Sequence, residues 1–201
     1  MKKLISAIFV AASLFFLSAC SASTAAQIGD TKISNELVQS RITEINAERT
    51  KFDTSQMQLT FGEELNRSQL RFMVIATIFQ KIADKSGIKI TQAMKDAKKA
   101  EIYSAVGGAD QLPSALVSAQ MAPSDFDLYI QALLISERIS ANAIAAGVPE
   151  ADAGSAIQQL VIELTKTEKV KINPQFGTWD SANGDLVAFD SAGSAVKPIT
   201  A

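Results

Sequence analysis

The sequence predicts a mainly α-helical domain: a helical bundle closed by a small two-stranded sheet formed by the N- and C-terminal segments of the mature chain. Three observations carry that expectation. Apolar residues recur at helical spacing in several long segments, each bounded by cap residues or by Gly and Pro. Only two short segments, Gln27–Ser34 and Lys169–Pro174, read as strand. A lone strand would leave its backbone groups unmet, so the two most simply pair with each other.

Composition narrows the chemistry. The chain has 201 residues, 47% of them hydrophobic, which suits one domain with a real core. It has no histidine, so neither a Ser-His-Asp nor a Cys-His nucleophile can be assembled, nor a His-ligated zinc or haem. A single cysteine excludes an internal disulfide and a multi-Cys metal site. With 19 Lys+Arg against 21 Asp+Glu there is no general basic field to draw in nucleic acid. A binding or structural protein remains, or an enzyme using carboxylates, Lys, Ser/Thr or Tyr.

Residues 1–19 read as a signal peptide. Lys2 and Lys3 precede the apolar run Leu4–Leu17, which is too short to span a bilayer comfortably. The run ends in Leu17-Ser18-Ala19-Cys20, which looks like a bacterial lipobox, with Cys20 the lipidated residue. The alternative is an ordinary secretory signal whose cysteine happens to sit near the cut. Acyl chains contribute about 0.8 kcal/mol per buried methylene, so several on one residue tether firmly. Loss of residues 1–19 removes two lysines and leaves 17 basic against 21 acidic residues, a charge of −4. Residues 20–26 are small and polar and read as a tether.

The domain is expected over 27–184. Gln27–Ser34 gives a short strand and a Gly29-Asp30 turn, with Ser34 as N-cap of a helix over about 35–49. Leu37, Val38, Ile42 and Ile45 form its stripe. Lys51 to Leu59 breaks the pattern and is expected as loop. Thr60-Phe61-Gly62-Glu63 fits a capping box opening a long helix to about Ser86, with Phe72, Ile75, Phe79 and Ile82 as its stripe and Gly87 as C-cap. Thr91 caps a lysine-rich third helix reaching Val106, and Pro113 starts a short fourth. Pro123 begins a fifth, whose inner face is Phe126, Ile130, Leu133, Leu134 and Ile139. Pro149 restarts helix with Ile157, Leu160, Val161 and Leu164 on one face. The tail 185–201 is rich in Ala, Ser and Gly and is expected to be disordered.

This order resembles the N-terminal chaperone module of the SurA/PrsA family of extracytoplasmic foldases. The residues that carry the resemblance are Ile28-Gly29-Asp30-x-x-Ile33-Ser34, then Ile82-Ala83-x-x-x-Gly87-Ile88-x-Ile90-Thr91, and finally Val170-Lys171-Ile172-Asn173-Pro174-Gln175-Phe176-Gly177-Thr178-Trp179. Two departures matter. Family members often carry a parvulin prolyl-isomerase domain ahead of the last helix, whereas Gly147-Val148-Pro149 joins two helices directly. Gln175 stands where related sequences tend to have Arg. The resemblance therefore implies a chaperone-like lipoprotein without isomerase activity.

Other candidate sites are weak. Ser86-Gly87-Ile88-Lys89 satisfies S-x-x-K, but the companion motifs of penicillin-interacting enzymes are missing. Glu63 and Glu64 are neighbours on a helix and point about 100° apart, so a helix-start role suffices. Lys95, Lys98 and Lys99 could face anionic lipid or an acidic client, but a solvated helix face explains them too. Trp179 reads as an anchor behind the closing strand, its N–H meeting a carbonyl. A holding chaperone must leave apolar surface uncovered, and methionine can repack against varied partners. Met57, Phe61, Met73, Met94 and Met121 are the candidate client-binding residues, with core filling the competing role for each.

The expected function is ATP-independent and non-catalytic: holding unfolded or newly secreted polypeptides in an apolar cleft, outside the cytoplasm and lipid-anchored to the bacterial cell membrane. No Walker A pattern occurs, and no metal or cofactor beyond the lipid on Cys20 is expected. The alternative is a structural or scaffolding envelope lipoprotein that binds one folded partner. Replacing Cys20 by Ser is expected to abolish incorporation of labelled fatty acid in cells and to move the protein from the membrane to the soluble fraction.

Overall fold

The computed structural model describes residues 23–189. The signal peptide, Cys20 and the tail beyond residue 189 lie outside the described residues. Within them the order is β1 (Thr24–Ile28), β2 (Thr31–Ser34), α1 (Asn35–Arg49), α2 (Gly62–Ser86), α3 (Gln92–Ala105), α4 (Leu112–Ser118), α5 (Phe126–Ala145), α6 (Ala153–Thr167), β3 (Val170–Ile172), β4 (Thr178–Asp180) and β5 (Asp185–Val187). Mainly helical architecture and a sheet built from the chain's two ends are both present.

The sheet has three strands, in the order β2-β1-β3. β1 pairs antiparallel with β3 through Ala26↔Ile172, Gln27↔Lys171 and Ile28↔Val170. It also forms a hairpin with β2, so the segment after Asp30 is strand before it becomes helix. One rung, Lys32–Gln27–Lys171, carries the exposed lysines on one face. The adjacent rungs place Ala26, Ile28 and Ile33 against the core, all at most 5% exposed. Gly29 holds the turn at φ 59°, which favours glycine, and a Cβ there would have to displace the Glu168 carboxylate.

Two sequence-based limits are corrected. The tether was expected to run to residue 26, yet strand begins at Thr24, and Ala25 and Ala26 are buried beside a register irregularity. Their small side chains read as flexible linker but let the strand lie close to α2. The tail was expected from residue 185, yet Asp185–Val187 pairs with Thr178–Asp180. Leu186 is 3% exposed in the core, and Arg71 donates to Asp185, Nη2 to Oδ2 at 2.8 Å. One buried leucine and one ion pair hold the segment in place.

Helix ends follow local chemistry. Ser34 Oγ accepts from Leu37 N at 3.1 Å, Thr91 Oγ1 accepts from Met94 N, and Gly87 closes α2 in the left-handed conformation. The capping box at α2 does not form: Phe61 is the N-cap residue and supplies no side-chain bond, while Thr60 donates elsewhere. α2 is the central element, touching α1, α5, α6, β1 and β5. Its fully buried large residues are Leu65, Leu70, Val74 and Ile78; of the predicted stripe Ile82 is buried in the core, while Phe72, Ile75 and Phe79 are half-buried and pack against it. Burial of each large apolar side chain contributes about 1.5–3 kcal/mol. In α1, Leu37 also leaves the predicted stripe and is 38% exposed. A second cluster of Leu116, Phe126, Ile130 and Leu134 seats α4 and α5, with α3 laid over it through Tyr103 stacked on Phe126.

A charge network fastens the sheet to the bundle. Lys81 Nζ lies 2.8 Å from Asp30 Oδ1 and 3.4 Å from Glu168 Oε2, and Lys85 Nζ is 3.0 Å from Glu168 Oε1. The bond to Asp30 raises the Lys81 pKa, and the bonds to Lys85 and Lys81 lower that of Glu168. The lowered carboxylate favours folding above its unfolded value of 4.5 and ceases to do so as pH falls through the folded value. The raised amine favours folding below 10.5 and ceases as pH rises through the folded value. Lys81→Met is therefore expected to lower the urea midpoint relative to the parent between about pH 5 and 10. The gap should narrow on acidification below about pH 4, followed by circular dichroism.

Candidate functional site

An open cleft of about 310 Å3 lies between α2 and α6. Arg71, Ile75 and Phe79, four residues apart, face it from α2; Ile157 and Val161, also four apart, face it from α6. The β4–β5 turn closes the third side, where Asp185 pairs with Arg71. Gly154 lies at the mouth, and a Cβ added there would meet nothing within 4 Å. The lining is thus apolar at its base and charged at its edge. The volume is at the lower end for ligand sites, so it admits a few side chains and not a folded domain.

A second feature lies where α1, the loop 51–61 and α4 converge. Gln120 adopts φ 56°, the one described residue other than glycine with positive φ. Its side-chain Oε1 accepts from Arg49 Nη2 at 2.9 Å, Thr60 N at 2.6 Å and Thr60 Oγ1 at 2.8 Å. Its backbone carbonyl accepts from buried Gln69 Nε2 at 2.8 Å. The amide thus ties the loop to the end of α1. Arg49 is 7% exposed, and desolvation lowers its pKa; Phe61 lies over its guanidinium, 4.8 Å from Cζ to ring centroid.

The residues expected to bind clients fall in different places. Met73 is 3% exposed in the main core. Met94 and Met121 pack half-buried against the second cluster. Met57 is half-buried, and Ser118 Oγ donates to its sulfur at 3.6 Å. Phe61 is 65% exposed. None of the five lines the α2–α6 cleft. Cys20 lies outside the described residues.

The charged candidates are held by local partners. Lys95 donates to Gln131 at 2.7 Å, Lys98 pairs with Glu101 and Glu137, and Lys99 pairs with Asp127 at 2.6 Å. These lysines bind α3 to itself and to α5, which explains a helix with no fully buried residue. Glu63 and Glu64 occupy the first turn of α2, and Ser86 its last residue. Trp179 packs on the core, but its Nε1 has no partner among the described residues, contrary to expectation. Beside α5, Asp125 is buried and bonded to Arg41 Nε at 2.7 Å; burial raises its pKa despite the arginine.

Two of these features left traces in the sequence. Val38, Ile42, Ile45 and Arg49 are spaced 4, 3 and 4, which puts the arginine on the buried stripe of α1. Ile75 and Phe79 belong to a stripe that the spacing does reveal; they pack against the core and also line the cleft. Gln120 gave no signal.

Compared with known proteins, the chain matches no protein-family model, no curated protein and no solved structure.

Gln120→Ala is expected to cost about 2–4 kcal/mol, since it removes a hydrogen bond to a charged donor and leaves Thr60 unpaired. Gln120→Gly should cost about 1 kcal/mol less, because glycine carries no penalty at positive φ. Urea unfolding at neutral pH should rank the parent above Gly and Gly above Ala.

Proposed function

We propose that this chain is a non-catalytic, ATP-independent holder of unfolded or newly secreted polypeptides, working outside the cytoplasm from a lipid anchor on Cys20. The carrying observation is the cleft between α2 and α6, with half-buried Ile75, Phe79 and Ile157 around an open mouth. Half-buried apolar side chains on rigid helices gain further burial when an extended chain lays its own side chains among them. A client loses conformational entropy on docking, so affinity is modest and exchange is rapid. The charged edge formed by Arg71 and Asp185 lets the client's polar backbone stay solvated. The sequence order that resembles the SurA/PrsA chaperone module supports the same reading, as does the absence of histidine, which removes the usual acid–base group.

The client-binding residues under this reading are Ile75, Phe79 and Ile157; Val161 lines the cleft but is buried in the main core. The loop residues Met57 and Phe61 are accessory, and Met73 has no part in it.

Light scattering by a reduced, aggregating model protein provides the test. The chain from residue 21 onward is expected to suppress it at near-stoichiometric ratio. Ile157→Asp should raise the amount required at least several-fold while thermal unfolding stays cooperative. If the parent gives no suppression and instead retains one folded envelope protein in a pulldown, the scaffold reading replaces this one.

A further inference from the structure

Arg49 is the one buried cation among the described residues, and no carboxylate pairs with it. A guanidinium carries five N–H donors. Here Nη2 donates to Gln120 at 2.9 Å and Nη1 to Asn46 Oδ1 at 3.3 Å, while Nε is buried with no acceptor. Both acceptors are neutral amides. Placement in the last turn of α1 adds some favourable interaction with the helix dipole, and Phe61 adds a cation–π contact. These contacts do not replace the bidentate anion that a guanidinium fork fits best.

The cover over this group is thin. Phe61 contributes the ring that lies on the guanidinium, yet it is 65% exposed. Its backbone is extended at φ −141° and is followed by Gly62 at φ 56°, with no side-chain bond holding it. The Gln120 side chain fixes Thr60 and not Phe61. Half-buried Leu59 and Met57 stand on the same loop. Neighbouring Glu48, the nearest acidic residue in sequence, is occupied by Lys51 at 2.7 Å.

We propose that Arg49 recognises a carboxylate on the bound polypeptide, with Phe61 as the cover that turns aside and then packs on the apolar side chain next to that carboxylate. The inference rests on the polypeptide-holding reading and deepens it, because it names a charged feature of the client. The carboxylate can come from a chain end or from an acidic side chain.

Three small probes separate these sources: N-acetyl-phenylalanine, its amide, and N-acetyl-glutamate with its α-carboxyl amidated. Each is titrated into the 15N-labelled chain from residue 21 onward while the Arg49 Nε–H resonance is followed. N-acetyl-phenylalanine is expected to displace it saturably, and the amide to bind at least tenfold more weakly. Displacement by the glutamate compound as well extends recognition to acidic side chains; its silence confines recognition to chain ends. Arg49→Lys keeps the charge and loses the fork, so the response of the Phe61 backbone amide should weaken at least tenfold. If that variant does not fold, the wild-type comparison of acid with amide decides. An Nε–H unmoved by either carboxylate, or moved equally by the amide, overturns the inference. Aggregation suppression with a silent Arg49 removes this inference alone. A responsive Arg49 without suppression removes the holding reading and leaves a carboxylate site.

Discussion

The pairing of β1 with β3 is the constraint on which the domain depends. Ala26, Gln27 and Ile28 meet Ile172, Lys171 and Val170, so about 145 residues of chain are closed by a three-residue ladder. Closing so long a loop costs entropy that three rungs of hydrogen bonds cannot offset alone. The remainder comes from the inward face of the sheet: Ile28 and Ala26 press on α2, whose own Leu70, Val74 and Ile78 are fully enclosed. Sheet and central helix are therefore one cooperative unit, and α6 is held in it because β3 follows directly after Glu168. The cleft exists because of this arrangement. α2, α6 and the β4–β5 hairpin supply its lining.

Much of this was legible from local rules. Caps at Ser34, Thr91 and Gly87 could be read because each uses contacts within a few residues of itself. The capping box at Thr60 could not, because Gln120, sixty residues away, offers the hydroxyl a competing acceptor. Ala25 and Ala26 resemble linker because small side chains do not distinguish a loose segment from a strand packed tightly on a helix. β5 was missed for a related reason: a three-residue strand with a single buried side chain has no periodicity to detect.

The α5 stripe is enclosed as expected through Phe126, Ile130, Leu134 and Ile139, whereas most of the α2 stripe was assigned to the wrong surroundings. α2 is apolar on most of its circumference, so spacing alone cannot say which side is enclosed. The line through Ile75 and Phe79 is the flank and the line through Leu70, Val74 and Ile78 is the core. The methionines failed as guides for a similar reason. Flexibility of the side chain suits an adaptable surface, but it equally suits irregular gaps between helices, and Met73, Met94 and Met121 fill such gaps. Arg49 is the reverse case, a charged residue at a core-spaced position that the pattern placed and that composition-based reading overlooked.

The lysine rung of the sheet has a consequence for self-association. β2 and β3 are both open edges, each short and each carrying a charged side chain at its middle, Lys32 on one and Lys171 on the other. Joining β2 of one copy to β3 of another in the register that sets Lys32 beside Lys171 would bring like charges side by side on the exposed face. Copies crowded at high local density thus meet a repulsive barrier to merging their sheets, while single extended chains without such charges do not.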